Sequence, residues 1–269
     1  MTTIALVPPL KWGGGKQPLA ARIVALMPPH KHYVEPFAGG LAVLLARPGW
    51  GASEVANDLN QVLMNFWRVL RDEGTYVRFA RILQATPFSR WEWEEAGRRL
   101  DHPDPVERAV AFFVRCRQSR SGLMESFAPL SRSRIRRGMN EQASAWITAV
   151  DGLPEIHARL QPVVLENMPA IDLIVREDGP ETLYLCDPPY LHETRASTDL
   201  YAHEMNEADH VELLAVLKAC EGKVMLCGYR SGLYDKELAG WTRHEFDLPN
   251  NLASGKTKRR MTECLWCNF

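Results

Sequence analysis

Asp187-Pro188-Pro189-Tyr190 sets an acid, two ring-locked residues and an aromatic plate in four consecutive positions. The apolar run Thr182-Leu183-Tyr184-Leu185-Cys186 comes directly before it and reads as a buried strand. Proline fixes φ and offers no backbone N–H, so the chain leaves that strand stiff and extended. A carboxylate and a ring are then held at the carboxyl edge of a sheet, where open α/β folds bind ligands. The arrangement suits a planar base that carries an exocyclic amine. The Asp187 carboxylate and the Pro188 carbonyl can each accept one N–H of that amine, and Tyr190 can stack on the ring, worth about 1–3 kcal/mol. Such a nitrogen is a poor nucleophile because its lone pair is delocalised into the ring. Catalysis is then orientation plus stabilisation of charge as the nitrogen turns positive. It requires no nucleophilic side chain and no metal.

A second set of residues points to the other reactant. Gly39-Gly40 follows the short strand pattern His32-Tyr33-Val34-Glu35-Pro36 and lets a ligand approach the backbone before a helix. A tight strand-to-helix connection alone would also explain the two glycines. Asp58 ends the next strand pattern, Glu54-Val55-Ala56, where dinucleotide folds accept hydrogen bonds from ribose hydroxyls. Strand, turn and acid together favour a nucleoside-containing cofactor. Neither Gly-x-Gly-x-x-Gly nor Gly-x-x-x-x-Gly-Lys-Ser/Thr occurs, which disfavours a dinucleotide or a nucleoside triphosphate. An amine site beside a nucleoside site fits methyl transfer from S-adenosylmethionine.

These residues need a sheet to carry them. Helical spacing is expected around Leu19 to Met27, Leu41 to Ala46, Leu59 to Leu70, Ile171 to Val175 and His210 to Cys220, with Asn206 and Asp209 as cap candidates for the last. Strands are expected at Pro162–Asn167, Thr182–Cys186, Lys223–Cys227, Thr242–Leu248 and Thr262–Asn268. The alternation near the start is a βαβ unit with a parallel sheet. Between about Tyr76 and Gln161 strand signals vanish, and helical patterns rich in Arg and Trp dominate. Arg115, Arg117, Arg120, Arg132, Arg134, Arg136 and Arg137 share that segment, and Lys256, Lys258, Arg259 and Arg260 form a second basic stretch between the last two strands. Both read as candidate phosphate contacts, against the plainer reading of solvated surface.

At 269 residues, with 46% hydrophobic and 24% charged content, the chain can bury a full core as one large domain or as one domain with an insert. A net charge of −1 leaves any nucleic-acid contact to local patches. No apolar run approaches a membrane span, and Met1-Thr2-Thr3-Ile4 lacks the basic region of a secretory signal. The expectation is a cytoplasmic protein. Most of the six cysteines lie in apolar runs and read as reduced, buried thiols. Cys264-Leu265-Trp266-Cys267 has metal or redox spacing, but no second pair or nearby His completes a site, so it reads as strand. No metal is expected.

The chain resembles the Dam-like adenine-specific DNA methyltransferases, of the solitary, phage or restriction-associated type and the alpha class, over almost its whole length. Lys11-Trp12-Gly13-Gly14-Gly15-Lys16 fits that family's Lys-Trp-x-Gly-Gly-Lys, and Glu35-Pro36-Phe37-Ala38-Gly39-Gly40 its Glu-Pro-Phe-x-Gly loop. Asn57-Asp58-Leu59-Asn60 fits the acidic segment after the second strand, Asp187 to Tyr190 the catalytic tetrapeptide, and Glu263 to Trp266 the last strand. The resemblance implies that Trp12 and Lys16 help enclose the cofactor. Phe37, Gly39 and Gly40 would line its methionine moiety and Asp58 its ribose, with Glu35 and Asp187 also at the cofactor. Two departures stand out. Leu41 occupies a position where many relatives have a third small residue, and Pro169 stands near the place of an acid that holds the cofactor's adenine. Asn167 and Asp172 are the two candidates to replace that acid.

The fold expected is a Rossmann-like α/β methyltransferase sheet, residues 1–72 and 162–269, with a helical target-recognition insert at 73–161. The expected activity is methylation of the adenine exocyclic amine in duplex DNA, with base flipping, in a bacterial or phage-encoded protein. Three alternatives stay open: another planar amine as acceptor (RNA adenine, cytosine or a protein glutamine), a DNA-binding module without catalysis, and a nucleotide-binding oxidoreductase.

Overall fold

A computed structural model describes residues 6–49, 51–194, 203–249 and 260–269. In chain order come α1 (Ala20–Ala25), β1 (His32–Glu35), α2 (Ala42–Ala46), β2 (Ser53–Asn57), α3 (Gln61–Arg71), α4 (Glu73–Ala85), α5 (Arg90–Gly97) and α6 (Pro105–Gln118). The two-residue strands β3 (Ile135–Arg136) and β4 (Met139–Asn140) follow, then α7 (Glu141–Asp151), α8 (Leu153–Leu160), β5 (Val164–Glu166), α9 (Ala170–Arg176) and β6 (Thr182–Cys186). The chain closes with α10 (Glu207–Ala219), β7 (Lys223–Gly228), α11 (Gly232–Glu237), β8 (Thr242–Pro249) and β9 (Arg260–Cys267). The larger sheet has seven strands in the order β5-β2-β1-β6-β7-β9-β8. β1 pairs in parallel with β2 and β6, and β6 with β7, while β9 runs antiparallel to both β7 and β8. This is the expected Rossmann-like α/β sheet, with the strand order reversing between β1 and β6. No helix among the described residues is long and apolar enough to cross a membrane.

The chain divides into two compact units. The second consists of the described residues within Pro29–Ala38, Gly51–Asn60 and Glu166–Phe269. Its core joins Val34 of β1, Tyr184 and Cys186 of β6, and Val224 and Leu226 of β7 to Leu173 and Ile174 of α9, Leu213, Leu214 and Leu217 of α10 and Tyr234 of α11. Each fully buried leucine in it contributes about 1.5–3 kcal/mol. All five residues of β6 are buried, which explains why its sequence is a continuous apolar run and does not alternate. Asn206 caps α10 by accepting from the backbone N–H groups of Ala208 and Asp209, and the Asp209 carboxylate accepts from Asn206 N–H in return. This is the reciprocal box that the two cap candidates foretell.

The first unit holds the described residues within Met1–Pro28, Gly39–Trp50 and Gln61–Leu165. It is built on aromatic packing. Phe66 of α3 stacks on Phe113 of α6 at 5.8 Å and meets Trp67, Phe79 and Phe112 at 4.8, 6.0 and 5.7 Å. Trp146 of α7 lies 5.5 Å from Phe113. Five helices, α4 to α8, occupy residues 73–161. The β3–β4 hairpin was not legible from periodicity, because two-residue strands are too short to alternate. Its turn is written instead in Arg137-Gly138, with φ of 54° and 73°, the left-handed pair that two-residue hairpins need.

Helix α3 begins two residues later than its apolar pattern. Asp58 Oδ1 accepts a hydrogen bond from Asn60 N–H at 2.9 Å, and this local turn competes with the first helical turn.

Asn57, fully buried at the end of β2, ties three parts of the sheet unit together. Its Nδ2 donates to the carbonyls of Pro36 and Met168 at 2.9 and 3.0 Å, and its Oδ1 accepts from Met168 N–H at 2.9 Å. Asn57→Ala leaves one buried and two partly buried backbone groups without these partners and is expected to destabilise the protein by about 2–4 kcal/mol. Urea unfolding measures this. A change below about 0.5 kcal/mol, the size of an ordinary surface substitution, would mean that the amide does not hold the strand ends.

Candidate active site

The candidate residues fall in both units. In the sheet unit, Val34 lies opposite both Val55 and Tyr184, so β2, β1 and β6 end at one edge. Glu35 and Phe37, Asp58, and Asp187 leave the sheet there. Asp187 and Pro189 are half-buried, and Pro188 and Tyr190 are buried. The Asp187 carboxylate, the Cys227 thiol and the Glu263 carboxylate present atoms within 4.8 Å of one another. The Tyr190 hydroxyl donates to Glu263 Oε1 at 2.6 Å. Its ring meets Tyr229 edge-on, 4.9 Å between centroids and 82° between planes. Burial first, then the Asp187 and Glu263 carboxylates, hold the Tyr190 hydroxyl well above the usual tyrosine range, so it stays protonated and donates. An open cavity of about 360 Å³ lies beside Tyr229, lined also by Glu193, Thr194, Arg230, Met261 and Thr262.

The other members of the sheet unit have defined neighbours. Glu35 is buried and accepts from the Tyr33 hydroxyl at 2.7 Å. Phe37 is half-buried against the core. Asn167 Nδ2 donates to the Asp58 carbonyl at 2.7 Å, so its amide braces the acidic turn, while Asp172 lies in the first turn of α9. His210 is buried and its Nδ1 lies 3.0 Å from the Tyr234 hydroxyl; it therefore belongs to the core. Cys264 and Cys267 are buried and free, their thiols pushed up to about 11 and about 12 chiefly by burial.

In the helical unit, Trp12 sits over the glycine pair. A Cβ on Gly39 would lie 2.7 Å from Trp12 Nε1, and one on Gly40 would lie 2.9 Å from Trp12 Cβ, so side chains are excluded there by the tryptophan itself. The Gly39 carbonyl accepts from Trp67 Nε1 at 3.0 Å, and Gly39 has a φ of 47°. Leu41 follows with a φ of 54° while fully buried. A left-handed leucine carries about 1–2 kcal/mol of strain, which burial of its side chain offsets at about 1.5–3 kcal/mol. Lys16 is buried and donates to the Gly14 carbonyl at 2.9 Å. Lys11 donates to the Arg117 carbonyl at 2.8 Å, and burial, then the Arg117 charge, push its amine down to about 8.

The basic residues divide sharply. Arg115 lies 3.5 Å over the Trp93 ring and donates to the carbonyls of Trp93 and Met124. Arg117 donates to the Ala145 carbonyl at 3.1 Å. Arg137 donates to Ser144 Oγ and O and to Thr148 Oγ1. These three guanidinium groups are built into the unit's own packing. Arg137 is exposed despite these bonds, as are Arg120, Arg132, Arg134 and Arg136, with Arg134 3.5 Å from Glu141. Arg260 pairs with Asp247 at 2.6 Å. Lys256, Lys258 and Arg259 lie outside the described residues. Sequence reasoning passed over Asn57, Tyr229 and the contact of Glu263 with Tyr190. The first was visible only as part of a motif, and the other two meet the tetrapeptide only through the fold.

The family model of the D12 class N6 adenine-specific DNA methyltransferases matches residues 12–245. The Type II methyltransferase M1.LlaDCHI of Lactococcus lactis subsp. cremoris is 26% identical over 99% of this chain and 96% of its own length. The DNA N-6-adenine-methyltransferase of Escherichia phage P1 is 27% identical over 77% of this chain, a match that spans 27% of the phage protein. A solved SAM-dependent methyltransferase from Agrobacterium tumefaciens aligns with 99% of this chain and 63% of its own, at 13% identity and a TM-score of 0.39.

Gly39→Ala is expected to lower stability by about 2–4 kcal/mol, through the collision with Trp12 and the left-handed backbone. In a Trp12→Ala background only the backbone strain remains, about 1–2 kcal/mol. Denaturant unfolding of the two single variants, the double and the parent measures this coupling, and strictly additive effects would show that the indole does not abut Gly39.

Proposed function

Because this chain belongs to the D12 class N6 adenine-specific DNA methyltransferases, we propose that Asp187, Pro188, Pro189 and Tyr190 receive an adenine turned out of duplex DNA and aim its exocyclic amine at the methyl group of S-adenosylmethionine. The observation that carries the reading is the position of this tetrapeptide: it leaves β6 beside β1, where the strand order reverses.

S-adenosylmethionine, when bound, supplies a methyl group on a positively charged sulfur. The residues of the sheet unit suit such a cofactor. Asp58, half-buried at the end of β2, can accept from ribose hydroxyls, and Phe37 offers an apolar face. Trp12, Lys16, Gly39 and Gly40 are assigned to the same cofactor by their motifs, and Glu35 with them. Asn167 is assigned to the cofactor's adenine end.

The protein's own part is positional. The Asp187 carboxylate accepts one N–H of the amine and the Pro188 carbonyl the other, which fixes the direction of the nitrogen lone pair. Tyr190 stacks on the base and offsets part of the unstacking, a few kcal/mol, that flipping requires. As positive charge develops on the nitrogen, the Asp187 charge stabilises it. Segment 73–161 is assigned to target recognition. The exposed Arg120, Arg132, Arg134 and Arg136 are its proposed phosphate contacts, with Lys256, Lys258, Arg259 and Arg260 as a second set. Arg115 and Arg117 are reserved for packing, and the exposed Arg137 for anchoring its hairpin.

Labelled S-adenosylmethionine and unmethylated duplex DNA, followed by digestion to nucleosides, test this reading. N6-methyl-2′-deoxyadenosine is expected from the native protein. Asp187→Ala is expected to lower transfer by about 100- to 1000-fold while leaving cofactor affinity unchanged, and an equal loss of cofactor binding would remove Asp187 from the acceptor site. Replacing Arg132, Arg134 and Arg136 by Ala should flatten the dependence of DNA affinity on salt, by about 0.9 in log–log slope for each phosphate no longer neutralised. An unchanged slope would return the three to solvated surface.

A further inference from the structure

We propose that Glu263 is a positioning residue for methyl transfer: it holds the Tyr190 ring, through the hydroxyl, in the plane on which the target base stacks. This rests on the reading of Tyr190 as the stacking platform. A ring that only stacks has no use for a hydroxyl, since phenylalanine presents the same face. Here Tyr190 is buried and its hydroxyl is bonded to Glu263 Oε1 at 2.6 Å. The two residues are 73 apart in sequence, so the contact is made by the sheet. Glu263 pairs with Phe246 of β8, and its neighbour Cys264 with Gly228 of β7. The carboxylate is thus delivered by a strand paired on both sides, a rigid support for a small adjustment of ring plane. Tyr229 closes on the ring edge-to-face at 4.9 Å. Two contacts of different kinds therefore fix it, one at the hydroxyl and one at the ring.

The location of Glu263 argues against a packing role. Its carboxylate lies within 4.8 Å of the Asp187 carboxylate, and two like charges at that separation repel. A glutamine or an apolar residue would fill the place without that penalty. Thr262, next in the chain, and Tyr229 both line the open cavity of about 360 Å³. That volume is within the range of small-ligand sites, about 300–1,000 Å³. The anchored ring therefore stands close to a space of the size a flipped base requires.

The test is steady-state methylation of unmethylated plasmid DNA by Glu263→Ala, Glu263→Gln, Tyr190→Phe and the Glu263→Ala/Tyr190→Phe double variant, with melting curves for each. Loss of a hydrogen bond to a charged group corresponds to about 10- to 100-fold, and that fall in kcat is expected for Glu263→Ala and for Tyr190→Phe. KM for S-adenosylmethionine should not move. Glu263→Gln keeps an acceptor for the hydroxyl and should recover most of the activity. The double variant should be no worse than the poorer single one, because both remove the same interaction. Native-like kcat in Tyr190→Phe or in folded Glu263→Ala, or losses that multiply in the double variant, would overturn the assignment. If Glu263→Ala does not fold, Tyr190→Phe and Glu263→Gln decide by the same criteria. Absence of methyladenine from the native protein would overturn the reading of Tyr190 and this assignment with it. A native protein that methylates adenine beside unaffected variants would overturn this assignment alone.

Discussion

Strands β1 and β6 lie side by side with Val34 opposite Tyr184, and parallel neighbours must end at the same edge. That constraint brings Glu35 and Asp187, 152 positions apart in the chain, out of the sheet together. β2 adds Asp58 at the same edge, and the buried Asn57 amide secures it by bonding to the segments after β1 and after β5. The pairing can persist only while both faces of the central strands stay dry, and β6 is buried at every position. The polar chemistry begins at the first residue beyond it.

The tetrapeptide also shows where electrostatic conflict is tolerated. Two carboxylates and a tyrosine hydroxyl converge near a buried thiol, an unfavourable grouping if stability were the only demand. The helical unit carries strain of another kind. Gly39 and Leu41 both take left-handed backbone conformations within three residues, and the Trp12 indole excludes a side chain at Gly39. Strain of this sort persists only where surrounding contacts over-determine it. Trp67 supplies one such contact through its indole N–H to the Gly39 carbonyl.

Charge alone was a poor guide to what an arginine bonds. Seven arginines within one segment read alike in the sequence, yet three are bound into the fold by carbonyls, hydroxyls and an aromatic face. A planar guanidinium with five donors can knit loops together as readily as it can meet a phosphate. Arg137 is the clearest case. It occupies the hairpin turn and anchors it to α7 through Ser144 and Thr148.

Much of the candidate site was legible in the sequence. The apolar run, the two prolines and the tyrosine are local features, and local sterics decide how such a segment leaves a strand. Strand and helix positions were legible for the same reason, since burial imposes a period on the residues that meet it. The β3–β4 hairpin fell below the length at which a period can be read. What only the tertiary structure decided is which distant groups meet: Glu263 with Tyr190, Asn57 with Met168, Arg137 with Ser144 and Trp12 with Gly39. Each of these pairs joins residues whose separation along the chain carries no signal. A hydrogen bond or a collision depends on distances of a few ångströms, and those are set by the register of paired strands and the packing of helices, not by residue type.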